Sequence, residues 1–349
     1  MKYKKIIKLD GGIYILEKIT IIGLGLIGTS LGLAIKKSNA LTSTQIVGHD
    51  LSKKHRSTAK KMGAIDKDEG DYKKAVQDSK LVIICTPVLS IREVFENIAP
   101  HLNEGTVVTD TGSTKGQIHE WAKELLPPNI NFIGGHPMAG REQSGPEAAT
   151  ADLFQNCTYA ICTSVSASPE AIDAILGLVN IIGSNHYFVD PEEHDSYVAA
   201  ISHLPFLLAT TLMSMNSKSR GWREISKLAG SGFRDMSRLA SGDPLMHRDI
   251  CLTNVNGISY WIDEFITELE EIKKIMSGTS KEIEDLFIDA WESRAKWLKG
   301  EVGNEKSLTD DLPKTGEAMM SLLMGDSLAK RAGEKIGQSD DSQTKYPRR

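Results

Sequence analysis

The sequence predicts an α/β protein in which a parallel, doubly wound sheet is followed by an all-α C-terminal domain. Three features of the 349 residues carry this reading. Short apolar runs alternate with longer amphipathic stretches as far as residue 190. A glycine-rich turn joins the first run to the stretch behind it, and strand-like runs stop at Asp190-Pro191.

Residues 1–18 form an N-terminal extension. Ile19-Thr20-Ile21-Ile22 is then a buried strand and Leu26 to Lys37 its helix. Gln45 to His49, Leu81 to Cys85, Thr106 to Thr109 and Asn131-Phe132-Ile133 are further strands, none with in/out alternation, as expected when helices cover both faces. Helices fall between them at Lys53 to Met62, Ile91 to Ile98 and Gly116 to Leu125. Thr158 to Cys162, Pro169 to Val179 and His186 to Val189 extend the sheet. Asp190 then suits an N-cap and Pro191 a first helical turn, and the periodicity is helical to about Gly300. The expected division is a sheet domain over 19–190, a helical domain over 191–300 and a polar tail over 301–349. In that tail Thr315 to Lys335 is expected to be helical and the stretch from Gln338 to Arg349 disordered.

Composition removes several functions. Forty-one basic against 46 acidic side chains, a net charge of −5, exclude attachment to nucleic acid by bulk charge. Cys85, Cys157, Cys162 and Cys251 form no CxxC and no Cys/His ligand spacing, so neither a disulfide framework nor a metal site is expected, and a cytoplasmic location is. The uncharged run Ile19 to Ile35 is just long enough to span a bilayer. Asp10 and Glu17 before it, four glycines within it and no small-residue cleavage site after it argue for a strand-turn-helix instead.

That turn, Gly23-Leu24-Gly25-Leu26-Ile27-Gly28, is a GxGxxG between a strand and a helix. Gly23 permits the tight turn, Gly25 lets a pyrophosphate reach the backbone at the helix N-terminus with Leu26 and Ile27, and Gly28 lets helix pack on strand. Asp50, 22 residues after Gly28, is placed to bind the adenosine ribose and repel a 2′-phosphate. NAD is therefore the expected cofactor of a Rossmann-type domain. Lys53 and Lys54 leave NADP open, and an N-cap is the other role open to Asp50. Thr86-Pro87 would line the same crevice.

Two polar, glycine-rich segments follow strands on the same sheet edge: Asp110-Thr111-Gly112-Ser113-Thr114-Lys115-Gly116 and Gly134-Gly135-His136-Pro137-Met138-Ala139-Gly140-Arg141-Glu142. A histidine on a glycine-bounded loop there is placed to act as a general base, His136 being the candidate.

The second segment, continuing to Ser144-Gly145 and Asp152-Leu153-Phe154, resembles the histidine segment of prephenate and arogenate dehydrogenases. Asp110 to Gly116, Ser202-His203-Leu204-Pro205 and Gly232 to Arg238 leading to Asp243-Pro244 fall in the same family order. The resemblance spans roughly residues 19–300. It implies NAD-dependent oxidative decarboxylation of prephenate to 4-hydroxyphenylpyruvate and CO2 in tyrosine biosynthesis, with arogenate, or both acids, as the alternative substrate. It implies that His136 takes the hydroxyl proton, that Ser113 orients the imidazole or contacts the hydroxyl, and that Arg238 binds a substrate carboxylate. His203, Glu142 and Arg234 are the other implied substrate-binding residues, Arg234 with a solvent or dimer contact as its other reading. His247 stands where some family members carry tryptophan near the ligand, which leaves that wall open. His49, His55, His101, His119, His186 and His194 are assigned to structure or solvent. A homodimer through the helical domain is expected, because Trp261 to Ile275 and Leu286 to Leu298 are too amphipathic for a lobe of about 110 residues to bury alone. A non-catalytic NAD sensor on the same scaffold is the rival from another class.

Overall fold

The computed structural model describes residues 7–9, 12–14, 17–141, 143–164 and 167–302. The tail helix and tail disorder expected beyond residue 302 lie outside the described residues, as does Glu142. Two compact units divide the chain, Met1–Glu270 and Glu271–Arg349.

A short hairpin, β1 (Ile7–Leu9) with β2 (Gly12–Tyr14), precedes the main sheet. The sheet is built from β3 (Lys18–Ile22), β4 (Gln45–His49), β5 (Lys67–Glu69), β6 (Leu81–Ile84), β7 (Val107–Asp110), β8 (Asn131–Pro137), β9 (Thr158–Thr163) and β10 (Asn185–Phe188). The eight run in the order β10-β9-β8-β7-β6-β3-β4-β5, so the chain moves outward from β3 through β4 and β5 and then crosses back to β6 on its other side. Loops leaving β3 and β6 therefore diverge at the carboxyl edge, the topological switch point where open α/β sheets bind ligands.

Helices α1 (Leu26–Ser38), α2 (Lys53–Lys61), α3 (Tyr72–Val76), α4 (Ser90–Ile98), α5 (Gly116–Leu125) and α6 (Pro169–Ile181) alternate with the strands. Ile19, Ile21, Leu31, Ile35 and Ile175 belong to one apolar core, while Ile22, Val82, Ile84, Phe95 and Ile118 belong to another. Alternate residues of β3 thus enter different cores, which is why its sequence shows no polar face. The uncharged run from Ile19 is strand, turn and helix.

Two expectations need correction. The sheet is not wholly parallel, since β8 and β9 pair antiparallel, His136 opposite Ala160. And β8 does not end at Ile133 but runs to Pro137, so His136 is a strand residue and not a loop residue.

After Asp190, whose carboxylate accepts the Glu192 N–H at 2.9 Å, every described element is helical. These are α7 (Pro191–Val198), a π-helical segment (Ala199–His203), α8 (Leu204–Ser217), α9 (Trp222–Ile225), α10 (Ser231–Ser237), α11 (Pro244–Thr253), α12 (Val255–Ile275) and α13 (Ser280–Leu298). The π segment widens the helix at His203, and such bulges concentrate at functional positions.

Candidate active site

At the switch point the glycine turn has the shape a dinucleotide needs. Gly23 has φ +92°, and a Cβ there would lie 2.7 Å from the Cys85 carbonyl carbon; a Cβ on Gly28 would lie 1.9 Å from the Gly23 oxygen. A Cβ on Gly25 meets nothing within 4 Å, so space is open above the N-terminus of α1, which has no side-chain cap of its own. Backbone N–H groups and the helix dipole make such an end attractive to a phosphate. Asp50 Oδ2 accepts the Leu24 N–H at 2.8 Å and Oδ1 the Ser52 N–H at 2.7 Å, holding the turn and the end of β4 together. The N-cap of α2 is Ser52, not Asp50. His55 Nδ1 stands 3.4 Å from Asp50. Across the crevice, the Thr86 hydroxyl oxygen is buried with no partner, a donor and acceptor held for something else. These residues fit a bound dinucleotide.

The second constellation is assembled where β8 outruns β7. Their ladder ends at Thr109 opposite Ile133. Beyond it, side chains take the place of the missing strand: Asp110 Oδ1 accepts the Gly135 N–H at 3.2 Å, and Lys115 Nζ donates to the Gly135 carbonyl at 2.8 Å. Lys115 and Asp110 are themselves paired and fully buried. The backbone just before His136 is thereby fixed on both sides.

The imidazole of His136 is fixed by a chain of hydrogen bonds. Asp195 accepts the Lys115 N–H (2.7 Å) and the Gly116 N–H (2.8 Å) at the start of α5, so its carboxylate is an acceptor throughout. His194 Nδ1 donates to Asp195 at 2.8 Å, which leaves His194 Nε2 as a lone-pair acceptor 2.9 Å from His136 Nδ1. His136 therefore donates from Nδ1, and its Nε2 lone pair is the nitrogen left for the cavity. Burial, with the neighbouring His194, Lys115 and His203, holds its pKa well below the ordinary value, so the ring is neutral at pH 7. His194, assigned from sequence to structure or solvent, is thus a buried partner of the candidate base.

His203 is fully buried, with Nδ1 3.2 Å from the Asn254 amide, and burial lowers its pKa to about 4. The Asn254 amide also donates to the Asp195 carbonyl at 2.7 Å.

Above these groups lies a cavity of about 590 Å³ lined by Ser113, His136, Arg141, Phe206, Arg238 and His247, among others. His247 stacks on Phe206 with ring centroids 4.1 Å apart and planes 5° from parallel, so an aromatic wall exists without a tryptophan. Every charged or titratable side chain among the described lining residues is a histidine or an arginine. No sequence motif marks Arg141 or Phe206 for this wall. Arg234 is exposed on α10 and outside this lining, and His203 lies beneath it.

A doubly wound sheet with a dinucleotide cradle, and a neutral buried imidazole beside a cationic cavity, define the class as a dinucleotide-dependent dehydrogenase. Residues 31–187 match the nucleotide-binding domain of prephenate dehydrogenase, and residues 190–292 match its dimerization domain. The chain is 36% identical to the prephenate dehydrogenase of Bacillus subtilis over 275 residues, 78% of this chain and 72% of that one. Among solved structures, it is similar to the Aquifex aeolicus prephenate dehydrogenase in complex with hydroxyphenyl propionate and NAD+. There the TM-score is 0.74 and the identity 26%, over 81% of this chain and 98% of that one. It is also similar to Synechocystis arogenate dehydrogenase, with TM-score 0.70 and 28% identity over 80% and 99%. The chain belongs to the prephenate dehydrogenase family.

Proposed function

We propose that this chain oxidatively decarboxylates prephenate with NAD, and that His136 is its general base, with Ser113 beside it. The observation that carries this reading is the hydrogen-bond chain from Asp195 through His194, which presents the unprotonated Nε2 of His136 to a cavity rich in cations. When bound, NAD supplies the acceptor for the hydride that leaves ring C4. His136 Nε2 takes the proton of the C4 hydroxyl as that hydride departs. The breaking bond between C1 and the ring carboxylate returns its electron pair to the ring, which becomes aromatic, and His136 Nε2 gives its proton back to the phenolate oxygen. CO2 and 4-hydroxyphenylpyruvate leave. Throughout, His136 keeps its Nδ1–H on His194 Nε2, and His194 is held in turn by Asp195, so the ring stays oriented while Nε2 carries the proton.

Prephenate carries two carboxylates, and Arg238 and Arg141 both face the cavity. Arogenate, which carries an ammonium group where prephenate has its keto group, is the alternative acid. His203 and His247 are proposed to shape the substrate site, and Glu142, beside the lining residue Arg141 in sequence, is the carboxylate proposed to meet a substrate amine. Gly23, Gly25, Leu26, Ile27, Gly28, Asp50, Thr86 and Pro87 are the proposed NAD-binding residues. In this reading 19–190 is the NAD domain and 191–300 the substrate domain.

A homodimer through the helical domain is supported by Leu252, Val255, Tyr260, Ile266 and Leu269, large apolar side chains of α11 and α12 that are exposed in the single chain. The continuous helical stretch Pro191–Ser217 is long and apolar enough to cross a membrane. It nevertheless carries buried, hydrogen-bonded His194, Asp195 and His203, which supports a core helix and a cytoplasmic enzyme.

The deciding experiment follows NADH formation at 340 nm with prephenate and with arogenate, each with NAD and NADP. Turnover of prephenate with NAD at a kcat/KM above that for arogenate is the expected result. Turnover of neither acid by a protein that binds NAD overturns the reading in favour of a sensor.

A further inference from the structure

Helix α4 has Leu89 as its N-cap residue and no side-chain cap. The N–H of Leu89 itself is held from 160 residues away, where Asp249 Oδ2 on α11 accepts it at 3.2 Å. Asp249 is only 1% exposed. Its other oxygen is satisfied by Arg248, at 3.0 Å from Nε and 2.7 Å from Nη2. Burying a carboxylate is costly even when it is paired. What a distant carboxylate adds is a tie between two parts of the site.

The parts are identifiable. Leu89 ends the tight turn after Thr86-Pro87, in which Ser90 N–H donates to the Pro87 carbonyl and Ile91 N–H to that of Val88, both at 3.0 Å. This is the turn on the cofactor side of the crevice. Helix α11 contributes Met246, His247 and Ile250 to the cavity wall. Its Thr253 hydroxyl lies 2.9 Å from that of Thr114, next to Ser113. One helix is therefore bonded to the cofactor-side turn and to the serine loop, while forming part of the wall that faces substrate.

We propose that Asp249 is a positioning residue, registering the Thr86–Leu89 turn against α11 so that hydride donor and acceptor are held at a fixed separation. This rests on the reading of the cavity as a hydride-transfer site. Hydride transfer is sensitive to such registration, since a misplacement of about 1 Å can cost roughly a hundredfold in rate.

The test compares Asp249→Leu, which removes the acceptor while keeping the branching and the number of side-chain heavy atoms, with Asp249→Asn, which keeps an acceptor oxygen, in the full-length protein. Amide exchange over residues 86–91, referenced to 26–38, reads the tie without needing turnover. For Asp249→Leu the expected result is exchange about tenfold faster over 86–91 and kcat lower by about tenfold. The NAD dissociation constant, by fluorescence titration, stays within about threefold, because the cradle at Gly25 is untouched. Asp249→Asn restores both readings to within about threefold of wild type. Unchanged exchange and kcat in Asp249→Leu overturn the proposal. So does equal loss in both variants that tracks their melting temperatures, the mark of a purely structural role. If Asp249→Leu does not fold, Asp249→Ser, too short to reach Leu89, replaces it. Should wild type turn over neither acid, the functional reading fails, and the exchange comparison with its Asn rescue still decides whether the tie exists.

Discussion

His136 Nδ1 lies 2.9 Å from His194 Nε2, and this contact selects which nitrogen His136 leaves for the cavity. Because Asp195 can only accept, His194 must donate to it from Nδ1 and accept from His136 at Nε2. A neutral imidazole has one donor and one acceptor nitrogen, so the order of protons along the chain is settled.

Removing the proposed base and breaking its orientation have different signatures. His136→Ala is expected to lower kcat by about 10²–10⁴-fold with little change in the KM for prephenate, the usual range for a lost general base. His194→Leu leaves His136 present but its tautomer unset, and a loss of about a hundredfold is expected. His194→Gln, whose side-chain oxygen can accept from His136 Nδ1, is expected to recover most of it. Steady-state kinetics of the three variants check the ordering.

Acid stability is governed by the same burial. His136, His203, His49 and His119 all have pKa values lowered by desolvation, so the folded protein keeps them neutral where the unfolded chain takes up protons. The stability they contribute is fully present above about pH 6.5 and is lost as pH falls toward their folded values. For fully buried His203, lowered to about 4, the loss by pH 4 is about 3 kcal/mol. Urea unfolding midpoints at pH 7.5 and 5 should fall accordingly, and His203→Asn should flatten the dependence.

Much of the sheet was legible because its central strands are buried on both faces: Leu81–Ile84 is four apolar residues with no polar face to confuse the pattern. Lys67–Glu69 escaped notice because an edge strand of three charged residues has no apolar signature. The length of β8 escaped for another reason. Gly134-Gly135 and Pro137 are loop-forming residues, and they stay extended only because β9 pairs on one side while Asp110 and Lys115 hold Gly135 on the other. His136 and the glycine turn were readable as local motifs. His194 was not, because its role depends on a partner 58 residues away that no spacing rule supplies.

The glycine turn offers a separation of stability from binding. A methyl group on Gly25 meets no atom within 4 Å, whereas one on Gly28 would lie 1.9 Å from the Gly23 oxygen. Gly25→Ala is therefore expected to keep the wild-type melting temperature within about 2 °C while weakening NAD by at least about tenfold, since the methyl occupies the phosphate approach. Gly28→Ala forces helix from strand and should lower the melting temperature by several degrees or prevent folding. Calorimetry alongside fluorescence titration of NAD distinguishes the two.

In the proposed reading, cofactor choice rests on Asp50 at the end of β4, whose two oxygens accept the Leu24 and Ser52 amides. Its charge favours a ribose diol and opposes a 2′-phosphate. Lys53 and Lys54 begin the next helix, and the Lys54 ammonium is exposed, 3.4 Å from Glu147, so cations stand ready once the carboxylate is gone. Asp50→Ser retains a hydroxyl for the ribose and removes the repulsion. The expected result is a fall in kcat/KM for NAD of about ten- to a hundredfold, the worth of a charge-assisted hydrogen bond, with a rise for NADP that erases most of the original preference. The rise should shrink as salt is raised, because the attraction of exposed lysines for a phosphate is screened. Parallel assays with both dinucleotides at low and high ionic strength measure this. An NADP activity that stays negligible at every salt concentration would mean that something other than Asp50 sets the preference.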